Sequence, residues 1–183
     1  MNRIRKNWIR GFVVLGLGVS AFAGPVPPAL AQGVTSLPAA ITANGPSVVH
    51  DATFIDVKTE VSSIEIPSTT LSVVILKVKN MPQSARNRSF GAHVHTKPCA
   101  TDPAASGPHH ANPAAAATTA LAAKEIWLDV NVDSLGRGTA IALFDWRIRK
   151  GDAGSVVIHA EPTNYAAGTA GARILCTTIA LGT

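Results

Sequence analysis

The sequence has 183 residues, with 16 Lys and Arg against 11 Asp and Glu and a formal net charge of +5. Four of the bases, Arg3, Arg5, Lys6 and Arg10, crowd the start with no acid beside them, so residues 32 onward carry 12 bases against 11 acids. That near-neutral balance, with no basic patch interleaved with aromatics, excludes nucleic acid as an expected partner.

The basic start leads into the apolar run Gly11–Val19 and then into Ala29-Leu30-Ala31 before Gln32. Basic, apolar and small-residue segments in that order predict a secretory signal peptide over residues 1–31. The apolar run is too short for a stable membrane span, and no Cys follows it to carry a lipid. An exported protein is therefore expected: secreted, periplasmic or held in the cell envelope. Residues 32–48, rich in Pro, Gly, Ala and Ser and without a period, read as a flexible leader. Residues 49–183 are long enough for one domain with a real core. The sequence holds two cysteines, Cys99 and Cys176, and export makes a disulfide between them the default expectation.

From about residue 50 the segments are short and β-like. Ile55, Val57, Thr59 and Val61 alternate with Asp56, Lys58 and Glu60, and Leu71–Val78 is a β-branched run. Further strands are expected at 89–96, 126–133, 138–146, 155–160 and 173–180. Turn signals at Asn80-Met81-Pro82, Asp133-Ser134-Leu135-Gly136 and Lys150-Gly151-Asp152 separate them. Many short strands with polar turns predict an all-β sandwich or barrel. Residues 101–124 break the pattern with ten alanines and three prolines; Ala114–Lys124 has helix propensity, and a long loop of this kind inside a compact domain points to function.

The histidines give the chemistry. In Phe90-Gly91-Ala92-His93-Val94-His95, strand alternation sends Phe90, Ala92 and Val94 to the core and both imidazoles to the outer face. In Val156-Val157-Ile158-His159 the same alternation sends His159 outward. Gly107-Pro108-His109-His110-Ala111-Asn112-Pro113 lies in the long loop and can fold over that patch. Imidazoles from two strands and one loop suit copper or zinc. His50 lies far from these segments and reads as a surface residue.

These segments together resemble the Cu/Zn superoxide dismutase family. Gly91-Ala92-His93-Val94-His95 with Cys99 close behind is similar to the family's Gly-Phe-His-Val-His motif. His110-Ala111-Asn112-Pro113 is similar to its His-Phe-Asn-Pro, and Val156–His159 to its Val-Val-His. Gly171-Ala172-Arg173-Ile174-Leu175-Cys176 resembles its closing Arg and Cys motif. The likeness covers roughly residues 50–180, with the four motifs in the family's order. It implies a Greek-key β-sandwich or barrel with long loops. It also implies copper ligands His93, His95, His110 and His159, a Cys99–Cys176 disulfide, and Arg173 as the group that attracts superoxide. His109 rivals His110; keeping His-x-Asn-Pro intact favours His110.

Two departures refine that expectation. No histidine lies between His110 and His159, and one bridging imidazole with scattered carboxylates makes a poor zinc site. The resemblance is thus to the copper-only bacterial branch, with one copper per chain and no zinc expected. Glu125 shares the outward face of Glu125-Ile126-Trp127-Leu128-Asp129-Val130 and is the candidate for orienting His110, with Asp129 as a weaker rival. The segment between His159 and Arg173 is also shorter than the family's electrostatic loop, which predicts a shallow, open site. The function implied is dismutation of superoxide to dioxygen and hydrogen peroxide, with Arg173, His110 and Glu125 in catalytic roles. An extracytoplasmic copper-binding or copper-buffering protein, or a metal-free β-sandwich module, is the alternative. A homodimer is compatible with the sequence.

Overall fold

The apolar alternation that the sequence carries from Val57 onward needs a partner strand, and the next β-branched run supplies it. In the computed structural model, which describes residues 40–182, Lys58–Glu65 and Ser72–Lys79 pair antiparallel from Lys58 opposite Lys79 to Glu65 opposite Ser72. In chain order the strands are β1 (Ala40–Gly45), β2 (Val48–Val49), β3 (Lys58–Glu65), β4 (Ser72–Lys79), β5 (Ser89–Phe90), β6 (Ala92–His95), β7 (Val130–Asn131), β8 (Gly138–Phe144), β9 (Ala153–His159) and β10 (Arg173–Leu181). They form two four-stranded antiparallel sheets, ordered β1-β3-β4-β8 and β2-β10-β9-β6, and a small β5-β7 ladder. The molecule is an all-β sandwich, and the described strands do not close into a barrel. The expected signal peptide lies outside the described residues. Among those residues, no helix is long and apolar enough to cross a membrane.

The core lies between the sheets. Val61, Val74, Leu76 and Val78 from one meet Val94, Val156, Ile158, Leu175 and Ile179 from the other, all buried. A hydrogen bond between the buried hydroxyls of Thr59 and Thr177, 2.6 Å, ties the two sheets together. Burying these aliphatic side chains contributes about 1.5–3 kcal/mol each relative to leaving them in water. Strand β9 is buried along nearly its whole length, because the core covers one of its faces and loops cover the other.

Several expectations need correction. Residues 40–45, read as part of the leader, form β1 against β3 from Ala40–Ile64 to Gly45–Thr59. The small residues hid a period of two, with Ile41 and Ala43 packed against the core and Ala40, Thr42 and Asn44 more exposed. The strand expected from Ile55 starts three residues later. Ile55 closes a 3-10 turn, Ala52–Phe54, and is 64% exposed. Of residues 126–133 only Val130–Asn131 count as a strand. Residues 126–128 nevertheless run beside β6, with Leu128 N donating to Ala92 O and Val94 N donating to Ile126 O. Ile126, Leu128 and Val130 are buried as the alternation requires. The helix expected over 114–124 shrinks to one turn, α1 (Leu121–Lys124). Helix nucleation is unfavourable, and so short an alanine run offers too few added bonds to offset it.

The long connection 96–129 is fastened at several points. Cys99 and Cys176 form the disulfide, at a sequence separation of 77. Ser155 Oγ donates to Lys97 O at 2.7 Å, and Cys99 N donates to Thr178 Oγ1 at 3.1 Å. The loop is held across the outer face of β6 and β9, where the histidines stand.

Candidate metal centre

Register decides which imidazoles meet. On β6, His93 and His95 share a face, and β9 pairs His93 with Val157. Isolated bridges then lay the loop alongside: His93 opposite Trp127, His95 opposite His109, and Ala111 opposite Glu125. Residues directly opposite in an antiparallel pair share a face, so His109, Trp127 and Glu125 join His93 and His95. His159, at the end of β9, completes the group. His93, His95, His109 and His159 each present one ring nitrogen, and these four atoms lie within 4.8 Å of one another.

His110 is not among them, which corrects the expected ligand set. One step along the chain from His109 puts it on the opposite face. Its backbone N donates to Val94 O at 2.8 Å, and its ring Nδ1 donates to Asp152 O at 3.1 Å. The buried ring packs against Trp146 with centroids 5.4 Å apart. The motif order that favoured His110 carried no information about which of two adjacent histidines faces His95.

Each imidazole in the cluster has its other nitrogen fixed by an oxygen. His95 Nδ1 donates to Gly107 O at 2.9 Å, and His159 Nδ1 donates to Gly171 O at 3.1 Å. A carbonyl only accepts, so these contacts put the proton on Nδ1 and the lone pair on Nε2. His109 Nδ1 donates to Glu125 Oε2 at 2.8 Å, and Trp127 Nε1 donates to the same oxygen at 2.8 Å. His93 is reversed: Nε2 donates to Thr163 Oγ1 at 2.9 Å, and Thr163 donates onward to Asp129 Oδ1 at 2.6 Å. His93 Nδ1 is left buried without a partner. His95 Nε2 and His159 Nε2 stand 3.4 Å apart with no proton left to join them, since both Nδ1 protons are committed.

Burial keeps the three strand imidazoles neutral. Burial, reinforced by the neighbouring imidazoles, lowers the pKa of His93 to about 2. Burial lowers His95 to about 3, against the opposing pull of the Gly107 carbonyl. Burial likewise lowers His159 to about 4. The three buried imidazoles are therefore held neutral, each with a lone pair turned toward a common point that His109 also faces. Imidazole is a strong ligand for copper, zinc and iron, and each ring has the fixed outer partner that metal-bound histidines require. The four residues could hold a metal ion.

Arg173 stands at the start of β10, opposite His159 in the register. Its Nη1 donates to Pro103 O and Ser106 Oγ, both at 2.7 Å, and its Nη2 donates to Gly107 O at 2.8 Å. The Gly107 carbonyl thus anchors both His95 and Arg173. Gly107 has φ +76°, and a Cβ there would sit 2.5 Å from Thr96 Oγ1. Arg173, His109, His159 and Glu125 line one cavity of about 410 Å³. The strand histidines are not shallow: His93 and His95 are fully buried beneath the loop. The opening lies instead on the side of His109 and Arg173.

Of the expected residues, the structure brings together His93, His95, His159, Arg173 and Glu125, with Glu125 on His109 rather than on His110. Asp129 acts one bond further out, through Thr163. Sequence reasoning missed Thr163, Trp127 and the Gly107 and Gly171 carbonyls. Gly107 and Gly171 lie in segments singled out for other residues, but no signal marks any of these contacts, because each is recruited by loop placement.

Fold and site together define an all-β protein with a four-imidazole cluster beside an arginine. No protein-family model matches the chain, and no curated protein matches it in sequence. Among solved structures the chain is similar in fold to the crystal structure of the clock protein EA4. The TM-score is 0.50 at 15% identity, over 82% of this chain and 99% of that one. At that identity the likeness is one of fold alone.

Proposed function

We propose that the protein is an exported copper-dependent superoxide dismutase of the copper-only branch of the Cu/Zn superoxide dismutase family. The observation that carries this reading is the convergence of four lone-pair nitrogens within 4.8 Å, three of them on buried rings held neutral. The ligands are His93 Nδ1 and the Nε2 atoms of His95, His109 and His159. Copper bound there would supply one-electron exchange, converting two superoxide anions and two protons to dioxygen and hydrogen peroxide.

The chain's own residues do the rest. Glu125 holds the His109 proton at Nδ1, so Nε2 faces the cluster; the orienting role expected for Glu125 on His110 passes to His109. Thr163 and Asp129 hold His93 in the opposite tautomer. Arg173 places a positive charge on the wall of the cavity that opens onto His109 and His159, and so favours a small anion there. The loop and Trp127 keep water from His93 and His95. Zinc is not part of the reading, since the second nitrogen of His109 is taken by a carboxylate. A Cys99–Cys176 disulfide suits an exported protein.

A second reading, copper binding or buffering with little turnover, draws on one observation. Three hydrogen bonds tie Arg173 to the loop, leaving fewer donors for an anion. A superoxide-consumption assay on the copper-loaded protein separates the two. Dismutation predicts rapid consumption that falls when Arg173→Ala is introduced while copper stays bound. Copper bound at full stoichiometry without consumption would leave the buffering reading standing.

A further inference from the structure

Two aromatic rings lead from the histidine cluster to the surface. Trp127 stands opposite His93 in the register, with the ring centroids 5.7 Å apart. The Tyr165 ring lies 5.2 Å beyond Trp127, edge to face. Both separations are those of rings in contact. His93 is fully buried, Trp127 half-buried and Tyr165 68% exposed. Each aromatic ring also has a carboxylate beside it. Trp127 Nε1 donates to Glu125 Oε2, the oxygen that holds His109. The charge of Asp129, ahead of burial, raises the pKa of the Tyr165 hydroxyl, so that carboxylate lies close to the phenol. Apart from sulfur, indole and phenol are the side-chain groups that yield one electron most readily. The sequence has a single tyrosine, and the described residues include no free cysteine. Trp146, the other described tryptophan, packs on His110 and Phe144 instead.

We propose that Trp127 and Tyr165 form an electron relay that discharges oxidants arising at the cluster and so spares the ligand imidazoles. It rests on the dismutase reading in one respect: a redox metal in the cluster, meeting product peroxide, generates a hydroxyl radical beside His93. That radical takes one electron from the Trp127 indole and becomes hydroxide. The indole radical cation keeps its N–H and is stabilised by the Glu125 carboxylate 2.8 Å away. Tyr165 then gives an electron to Trp127, and the phenol proton passes to the Asp129 carboxylate. In sum, hydroxyl radical, phenol and carboxylate become hydroxide, phenoxyl radical and carboxylic acid. Because Tyr165 is exposed, a small soluble one-electron reductant can return the electron there while Asp129 returns the proton. The two carboxylates that reach the outer nitrogens of His109 and His93, directly or through Thr163, thus also serve the two rings of the relay.

Two measurements test this. In the first, copper-loaded protein is mixed with hydrogen peroxide, rapidly frozen and read by electron paramagnetic resonance, with copper occupancy taken from the same samples. A phenoxyl signal is expected, and it belongs to Tyr165 because the sequence has no other tyrosine. Trp127→Phe and Tyr165→Phe should each abolish it and raise oxidation of His93, His95, His109 and His159 several-fold, read by peptide mass spectrometry. Trp127 touches His93, so the Tyr165→Phe change, at an exposed position, guards against a folding artefact. A copper-loaded protein without the signal overturns the proposal. So does a signal that survives Trp127→Phe, or ligand oxidation unchanged by Tyr165→Phe. The second measurement needs no metal. Azide radicals made by pulse radiolysis oxidise tryptophan in the metal-free protein. Indolyl absorption should convert to phenoxyl absorption at a rate independent of protein concentration, lost in Trp127→Phe and kept in Trp146→Phe. No conversion overturns the relay whatever the metal does. Conversion in a protein that fails to bind copper would instead count against the dismutase reading alone.

Discussion

A single hydroxyl sets the tautomer of His93. Thr163 Oγ1 accepts from Nε2 and passes its own proton to Asp129, which turns the Nδ1 lone pair inward. Thr163→Val keeps the shape and removes the relay. Copper affinity, measured by competition titration, should fall about 10–100-fold, as with other outer-shell partners of metal-bound histidines. Thr163→Ser should restore most of it; if the serine variant binds no better than valine, the hydroxyl is not what matters. Protonation offers a second check. The folded pKa values of His93, His95 and His159 lie below that of a free imidazole. The unfolded chain therefore binds protons first as pH falls. Stability of the metal-free protein should be fully present above about pH 6.5 and be lost as pH drops toward 4 and below. Denaturant unfolding at a series of pH values reads this directly, and a flat profile between pH 6.5 and 4 would contradict the neutral cluster.

Elements place the residues, and here the sequence could be read only in part. Period-two alternation was enough to bury Ala92, Val94, Ile126, Leu128, Val130, Val156 and Ile158, because a strand's faces follow from local spacing. It also put His93 and His95 on one face and Glu125 on the same side as the returning loop. It could not choose between His109 and His110, since that choice depends on a bridge to His95 some 14 residues away. Nor could it show that the same face is covered rather than open. The one-turn helix and the late start of β3 reflect the same limit: propensity proposes an element, and tertiary pairing sets its bounds. The loop's anchoring makes its own prediction. Gly107→Ala must adopt φ near +76° and push against Thr96, and it shifts the carbonyl that holds both His95 and Arg173. A loss of about 1–3 kcal/mol in unfolding free energy is expected, with weakened copper binding alongside; an unchanged midpoint would show that the loop can give way.

At the scale of the whole molecule, two four-stranded sheets supply the frame, and a long loop turns part of one outer face into an interior. The disulfide ties that loop to β10. Closing a segment of this length is worth about 4–5 kcal/mol in the chain-entropy description. Reduction with the fold otherwise intact should lower stability by roughly that amount, read as a shift in denaturant midpoint with and without reductant. A negligible shift would mean that the other anchors hold the loop unaided.

The claim on which the functional account rests is that four nitrogens, one from each of His93, His95, His109 and His159, meet a single ion. Titrating Cu(II) into the metal-free protein and recording its electron paramagnetic resonance tests this most directly. One tightly bound equivalent with hyperfine coupling to several imidazole nitrogens is expected, altered by His109→Ala and unaltered by His110→Ala. Weak binding of several equivalents, or a spectrum that responds to His110 and ignores His109, would contradict it.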